Sequence, residues 1–329
     1  MSAAEKIAAL DAEALLAGEL GTYMQEQASV RAEARATTRR RIPIAVIVGI
    51  VWLVSTFYLF FNMTTMGSFF FIILPFFGGF ILTAAIVYWA LLPRMKAVRE
   101  VKARTNEAIA AAAGLTYDIK GDASALHRLC DAHGMFPAHN QQKFEDFWEG
   151  EIAGHPFRLF EAHLEFRSSD SDGGSRTKTT FRGPVMTLGF SRRFQGTTLV
   201  LRDGGKTSFI GNKKKDSFKA DGKRLDYIPL SDPRFEDLFD VYGTDRVEAH
   251  YLVNPAYMER LMDVERAFFG SYIRTLFHEG ELVVVLHSGK LFESASLEAS
   301  EDRARVVETI NQLKILAKLA EALQEPPRN

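Results

Sequence analysis

The sequence predicts an α+β protein in which a two-helix transmembrane hairpin precedes a soluble, mainly antiparallel-sheet domain that is closed by a long C-terminal helix. Three patterns indicate this architecture. No Asp, Glu, Lys, Arg or His occurs between residues 42 and 92. Short segments with the alternating apolar pattern of strands recur through residues 157–286. Residues 297–323 repeat apolar side chains at helical spacing, which predicts an amphipathic helix.

The uncharged stretch divides into two arms of membrane-spanning length. Residues 42–61 would form a helix about 30 Å long, which matches the thickness of the hydrocarbon layer. Residues 69–92 form the second arm, and a polar segment at 62–68 separates the two. A buried soluble hairpin is the alternative, but uncharged helices of this length are rare in soluble cores. A cleaved signal peptide fits poorly, because residues 1–41 precede the first arm.

Charges beside the arms predict the orientation of the hairpin. Ten basic residues flank the two arms: Arg31, Arg35, Arg39, Arg40, Arg41, Arg94, Lys96, Arg99, Lys102 and Arg104. The segment between the arms has no charge. Because positively charged flanks stay in the cytoplasm, we expect both termini there and only the short connecting segment across the membrane.

These boundaries divide the chain into four expected parts. Residues 1–41 would be an N-terminal cytoplasmic helix, 42–92 the hairpin, 93–121 a juxtamembrane helix and linker, and 122–329 the cytoplasmic α+β domain. The chain has 40 basic and 41 acidic residues, so no overall positive field indicates a nucleic-acid partner. Its single cysteine, Cys130, excludes an intrachain disulfide.

Local patterns predict the order of elements in the soluble domain. A change in the parity of apolar residues suggests a β-bulge near Leu159. Alternation of Val247, Ala249, Tyr251 and Val253 predicts a strand over 246–253. We further expect helices at 123–133, 231–239 and after Asn254, and strands at 180–190, 197–202, 207–211, 272–277 and 281–286.

Several segments resemble a bacterial membrane protein family catalogued as domain of unknown function 3137. The longest is FEDLFDVYGTDRVEAHYLVNPAYMERL at 235–261, where the chain has His250 at a position at which the family pattern leads us to expect Arg. EDFWEG at 145–150, FRG at 181–183 and FSRRFQG at 190–196 fit the same pattern. The resemblance spans roughly residues 30–325. It implies two N-terminal transmembrane helices, a cytoplasmic domain, the bacterial inner membrane and a LemA-type membrane protein as partner, and it carries no assigned activity.

Two clusters contain residue types that are found in catalytic or metal sites. His127, Cys130, His133 and His139 are close in sequence, but His127 and His133 lie about 120° apart on a helix, and no four-ligand spacing is present. We therefore expect no metal site and interpret Cys130 as a buried core residue beside Leu126 and Leu129.

The second cluster is acidic and contains Glu145, Asp146, Glu149 and Glu151. No nucleophile, histidine partner or cofactor loop accompanies these carboxylates, so we assign no catalytic residue and no cofactor. We interpret them as a solvated strand edge.

Basic residues outside the arms are candidates for contact with anionic lipid headgroups. The set comprises Arg39, Arg40, Arg41, Arg94, Lys96, Arg99, Lys213, Lys214 and Lys215. The sequence thus favours a membrane-anchored cytoplasmic binding or regulatory module, with the lipid bilayer as its first partner. An enzyme that acts on a membrane-proximal substrate is the alternative, and the sequence does not specify an oligomeric state.

Overall fold

The computed structural model describes residues 3–62, 69–152, 154–169, 174–190, 194–202, 216–267 and 272–324. Its α-helices are α1 Ala3–Ala9, α2 Ala12–Ala17, α3 Glu19–Asn62, α4 Phe69–Ala113, α5 Ser124–Ala132, α6 Pro233–Glu236, α7 Arg246–Leu252, α8 Pro255–Ala267 and α9 Asp302–Gln324, with a 3₁₀ turn at Ala299–Glu301. Its strands are β1 Thr116–Asp118, β2 Gln141–Ile152, β3 His155–Ser169, β4 Ser175–Gly189, β5 Thr198–Arg202, β6 Ser217–Ala220, β7 Lys223–Tyr227, β8 Phe239–Gly243, β9 Ile273–His278 and β10 Glu281–Leu286.

The chain forms two compact units. One unit consists of Met1–Asp11, Asn106–Glu293 and Glu308–Asn329, and it contains the sheet. The other consists of Ala12–Thr105 and Ser294–Val307, and it contains the two long apolar helices. The predicted α+β class, with its helical hairpin, antiparallel sheet and C-terminal helix, is confirmed.

Three contacts set the register of the antiparallel helices α3 and α4. A Cβ atom built on Gly79 would lie 1.8 Å from Cδ1 of Trp52, so the indole occupies the space that a side chain at position 79 would need. One built on Gly49 would lie 3.5 Å from Cγ2 of Thr83. The guanidinium of Arg41 lies 4.0 Å from the ring centre of Trp89. The two residue numbers of each pair average to nearly the same value. This is expected when two helices run antiparallel from one connecting segment.

The predicted arms 42–61 and 69–92 lie inside α3 and α4. Both helices continue well beyond the arms, and the N-terminal 41 residues contain α1, α2 and the start of α3. The membrane boundaries at these positions stay predictions, because helix ends do not mark them.

All ten strands belong to one antiparallel sheet with an open edge at each end, in the order β1-β2-β3-β4-β10-β9-β5-β8-β7-β6. The predicted strands at 272–277 and 281–286 are confirmed as β9 and β10, which form an antiparallel hairpin. The predicted irregularity near Leu159 lies on the neighbouring strand: Glu145 pairs with Glu161 and Trp148 with Leu159, so β2 carries the extra residue. The parity change in β3 has another cause, because both faces of this central strand are buried there.

One face of the sheet carries an aromatic and aliphatic core. Phe160, Phe181 and Val285 are fully buried there, together with Cys130 of α5. On α9, the predicted apolar stripe is buried at each of its positions: Val306, Ile310, Leu313, Leu316 and Leu323. The amphipathic pattern therefore predicted the buried side of the C-terminal helix correctly.

The prediction of a strand over 246–253 is wrong, because this segment forms helix α7. The Asp245 carboxylate accepts a hydrogen bond from the Glu248 backbone N–H at 2.9 Å, which caps the helix. Ala249 is buried, whereas Val247 is 81% and Tyr251 53% exposed. The expected helix at 231–239 is shorter, since α6 ends at Glu236 and β8 begins at Phe239. The expected strand at 207–211 lies outside the described residues.

Adjacent glycines allow a test of the hairpin packing. We expect Gly79→Ala to lower the melting temperature of the full-length protein in detergent, because the new Cβ would force Trp52 to move, at a cost of about 1–3 kcal/mol. Gly78→Ala is the matched control, since a Cβ there meets nothing within 4 Å and alanine favours the helix. Equal melting temperatures for the two variants would contradict the packing of Trp52 on Gly79.

Candidate functional site

Helices α3 and α4 present surfaces that suit a bilayer. Segments Glu19–Phe61 and Phe76–Ala113 are long and apolar enough to cross a membrane, and only 6% of the most apolar 18 residues of each is buried. A core helix of a soluble protein would hide these side chains, but Val54 is 62%, Phe57 66% and Ile81 67% exposed. The described chain therefore contains two candidate transmembrane helices.

A group of basic side chains lies at one end of this hairpin, and we call it the basic collar: Arg39, Arg40, Arg41, Arg94, Lys96 and Arg99. Five of the six are exposed, and Arg41 is half-buried. Arg41 stacks on Trp89 and donates a hydrogen bond to its carbonyl oxygen at 3.2 Å. This contact places Arg41 level with Trp89, so the collar begins at a Trp, the residue type that prefers the membrane interface.

The other basic residues that flank the arms differ from the collar. Arg31 is fully buried and donates two hydrogen bonds of 2.6 Å to the two carboxylate oxygens of Asp302. Arg35 forms an ion pair with Glu298, and Lys102 is buried. Arg31 and Lys102 are therefore withdrawn from the surface, whereas Arg35 and Arg104 are exposed like most of the collar. The predicted lipid contacts Lys213, Lys214 and Lys215 lie outside the described residues.

The histidine and cysteine cluster divides into separate contacts. Cys130 is fully buried, as predicted, and burial raises the pKa of its thiol. Nε2 of His127 lies 2.9 Å from Nε2 of His139, so the structure pairs His127 with His139. The ring of His133 instead lies against that of His278. Among the described residues, no three His, Cys, Asp or Glu side chains converge on a point that could hold a metal ion.

The interpretation of the acidic cluster as a solvated strand edge is wrong for Asp146. This residue lies in the β2 bulge with φ of 59°, in the left-handed region that Asp tolerates better than most residues. Its buried carboxylate accepts a hydrogen bond of 2.6 Å from the Tyr117 hydroxyl. Burial and the Asp146 charge raise the pKa of Tyr117, which keeps the hydroxyl as a donor.

The remaining acidic residues of β2 are more exposed. Glu145 is partly buried and pairs with Lys143 at 2.6 Å, Glu149 pairs with Arg158 at 2.8 Å, and Glu151 is exposed. β2 also lies between β1 and β3, although β1 pairs only with residues 147–149 of it. The bulge turns Asp146 inward, and residue spacing alone cannot predict that rotation.

Sequence reasoning missed the buried Glu161 on β3. Its carboxylate accepts hydrogen bonds from the Leu291 backbone N–H at 2.7 Å and from Nε of Arg182 at 2.9 Å. Burial raises the pKa of Glu161, and these two donors partly oppose that effect. The bonds fix the segment after β10, where Phe292 adopts a φ of 55°. The sequence signal for this contact was the FRG motif at 181–183, because its arginine, Arg182, is the side chain that binds Glu161.

A groove of about 550 Å³ lies in the sheet-containing unit between α5 and the ends of β2, β3, β4 and β10. Leu126 and Leu129 of α5 and Phe157 of β3 form its apolar wall. The ion pair of Glu149 and Arg158 forms a polar part of its lining.

Comparison with known families agrees with the motifs at 181–183, 190–196 and 235–261. The family model described as "Protein of unknown function (DUF3137)" matches residues 179–325. This part of the chain is similar to that family. The resemblance inferred from the sequence is thereby confirmed over this range, which includes β4–β10 and α9.

Other comparisons add no function to this similarity. No curated protein matches the sequence. A crystal structure of the mycobacterial trehalose monomycolate transport factor A, TtfA, aligns over 69% of this chain and 98% of its own, with 10% identity and a TM-score of 0.33. A similarity this low supports no argument about the fold or the function of this chain.

Variants at position 146 test the role of the bulge. We expect Asp146→Ala to destabilise the full-length protein by about 1–3 kcal/mol, because it removes the buried carboxylate that accepts the hydrogen bond of the half-buried Tyr117 hydroxyl. Asp146→Asn should cost less, since Asn keeps an acceptor oxygen and tolerates the left-handed backbone. Denaturant unfolding in detergent, followed by tryptophan fluorescence, measures both.

Glu151→Ala provides the control on the same strand, because Glu151 is exposed and should change stability by less than about 0.5 kcal/mol. If Asp146→Ala cost no more than this control, the buried bond would contribute nothing to stability.

Proposed function

We propose that this chain is a membrane-anchored binding or regulatory module of the bacterial cytoplasmic membrane. In this proposal α3 and α4 cross the bilayer, both termini face the cytoplasm, and the unit that contains the sheet acts beside the membrane. The observation that carries the proposal is the exposure of apolar side chains within residues 42–61 and 76–89. Hydrocarbon accommodates such side chains, whereas water would disfavour each large one by about 1.5–3 kcal/mol.

The basic collar supports the orientation. Its side chains lie on the flanks of both helices, and the segment that joins the helices contains no charged residue. Positive residues at one end of a hairpin favour the cytoplasmic side. In the same arrangement the collar would contact anionic lipid headgroups, with a gain of about 1 kcal/mol for each basic residue near the surface.

Reporter fusions test the topology. A fusion of a cytoplasmic-folding reporter to residue 329 should be active, and one inserted between residues 63 and 67 should be inactive. An enzyme that folds only after export should give the opposite pair of results. Export of a reporter at residue 329 would refute the proposed orientation.

Charge-neutral variants test the lipid contact. In nanodiscs of mixed lipid, we expect brominated phosphatidylglycerol to quench the tryptophan fluorescence more than brominated phosphatidylcholine does, because the collar attracts anionic lipid around Trp89. Substitution of Gln for Arg40, Lys96 and Arg99 should reduce this preference at least fivefold, because the three lost charges together remove more than about 1 kcal/mol of attraction. High salt should have the same effect by screening.

The matched control replaces Arg176, Lys178 and Lys219 by Gln. These three exposed cations lie in the unit that contains the sheet, and the substitution removes the same charge. The control should keep the wild-type preference for anionic lipid. If both triple variants behaved alike, the collar would have no specific role in lipid contact.

The protein partner is a further part of the proposal. The family resemblance implies a LemA-type membrane protein, and pull-down of the full-length protein from membranes in mild detergent tests this. Recovery of the chain without such a protein would leave anionic lipid as the proposed partner. The alternative of an enzyme on a membrane-proximal substrate stays a hypothesis, and the buried Asp146 and Glu161 both have roles in the fold.

A further inference from the structure

Four histidines converge in two pairs on one short turn of the sheet-containing unit. We call residues 133–139, between α5 and β2, the histidine turn. At its end, His139 lies beside His127 of α5, with 2.9 Å between their Nε2 atoms. At its start, His133 lies beside His278 of β9, with 5.3 Å between ring centres. Neither the proposed membrane anchoring nor the lipid contact uses these groups.

Hydrogen bonds define the protonation of the first pair. Nδ1 of His139 lies 2.9 Å from the carbonyl oxygen of Pro137, so Nδ1 carries a proton and donates it. Nε2 of a neutral His139 is then an acceptor, and the Nε2–H of His127 is its donor. If both rings were charged, two N–H groups would face each other at 2.9 Å. This geometry therefore accommodates at most one added proton.

The second pair is also sensitive to charge. Nδ1 of His133 lies 2.8 Å from the carbonyl oxygen of Leu129, which fixes this ring at the end of α5. Nδ1 of His278 lies 3.1 Å from the Thr197 hydroxyl oxygen. No hydrogen bond joins the two imidazoles, so charging both would place two cations in direct ring contact without a shared proton.

Other charged groups around the pairs act in both directions. On His127, the Asp131 carboxylate favours the charged form and Arg128 opposes it. On His278, Glu279 and Asp221 favour the charged form and Lys223 opposes it. Burial is the largest effect on both residues, followed by the partner histidine, and the net result lowers the pKa of His127 and of His278.

We propose that the histidine turn is a pH-sensitive element, closed while its imidazoles are neutral and released when acid protonates them. The sign follows from the two lowered pKa values. An unfolded histidine has a pKa of about 6.5 and binds protons more readily than His127 or His278 does in the closed turn. Stability of the closed turn is therefore complete above about pH 6.5 and falls as the pH drops towards the lowered values.

Release of this turn would alter the groove beside α5. Leu126 and Leu129, which line the groove, lie on the same helix as His127, and the Leu129 carbonyl oxygen lies 2.8 Å from Nδ1 of His133. The backbone bond from Met135 N–H to the Cys130 carbonyl holds the end of that helix. Proton uptake at the turn would thus change a surface that is available to a binding partner.

Hydrogen exchange on the full-length protein in detergent tests this inference. After correction for the intrinsic rate, we expect amides of residues 133–139 to exchange at least tenfold faster at pH 5.5 than at pH 7.5. A variant with both His139→Gln and His278→Gln should show no such pH dependence, because each pair loses one titratable ring. His250→Gln, which removes an exposed histidine of α7, should keep the wild-type response.

Two results would overturn the inference: wild-type exchange that is independent of pH, or an unchanged pH response in the double variant. If the double variant did not fold, histidine NMR of the wild-type protein would decide. Signals of His127 and His278 should then titrate below the value of about 6.5 that an unfolded histidine has, and titration of both at or above that value would contradict the proposal.

Discussion

Solvation of residues 42–92 is the constraint on which the rest of the structure depends. A segment without charge must satisfy its backbone polar groups internally if hydrocarbon surrounds it, and an α-helix does this within one segment. Two such helices joined by a short connection must be antiparallel. The chain that precedes them and the chain that follows them therefore begin at the same end of the hairpin, where Arg41 and Trp89 lie together.

Charged residues near this end divide into two groups with different roles. Arg31 satisfies its guanidinium with Asp302 in a buried ion pair, and such pairs are costly to break because each leaves an unpaired charge behind. The exposed collar residues instead present their charge at the surface of the protein. The rule that predicts orientation counts every basic residue beside the helices, whether it is buried or exposed. A contact with a lipid headgroup, in contrast, requires an exposed side chain.

Buried polar groups shape the sheet-containing unit in a similar way. Asp146 and Glu161 are each removed from water, and each has a named donor in the structure: the Tyr117 hydroxyl for the first, and Arg182 with a backbone N–H for the second. These bonds fix a bulge and a strained segment, which are features of shape and need no catalytic explanation. The histidine pairs differ, because an imidazole that binds a proton changes both its charge and its hydrogen-bonding capacity.

The sequence by itself determined the two apolar helices, the α+β class, the buried side of α9 and the family of residues 179–325. The helices, the class and the buried side of α9 follow from periodicity and composition, which act along the chain, whereas the family follows from the resemblance of its motifs. The sequence did not determine helix α7. There the Asp245 carboxylate caps a helix by accepting a hydrogen bond from the Glu248 N–H, and Val247, which the alternating pattern predicted to point inward, is exposed. Nor did it pair His127 with His139 or turn Asp146 inward. Only the tertiary structure decides such contacts, since they depend on a turn and a bulge whose geometry no residue spacing contains.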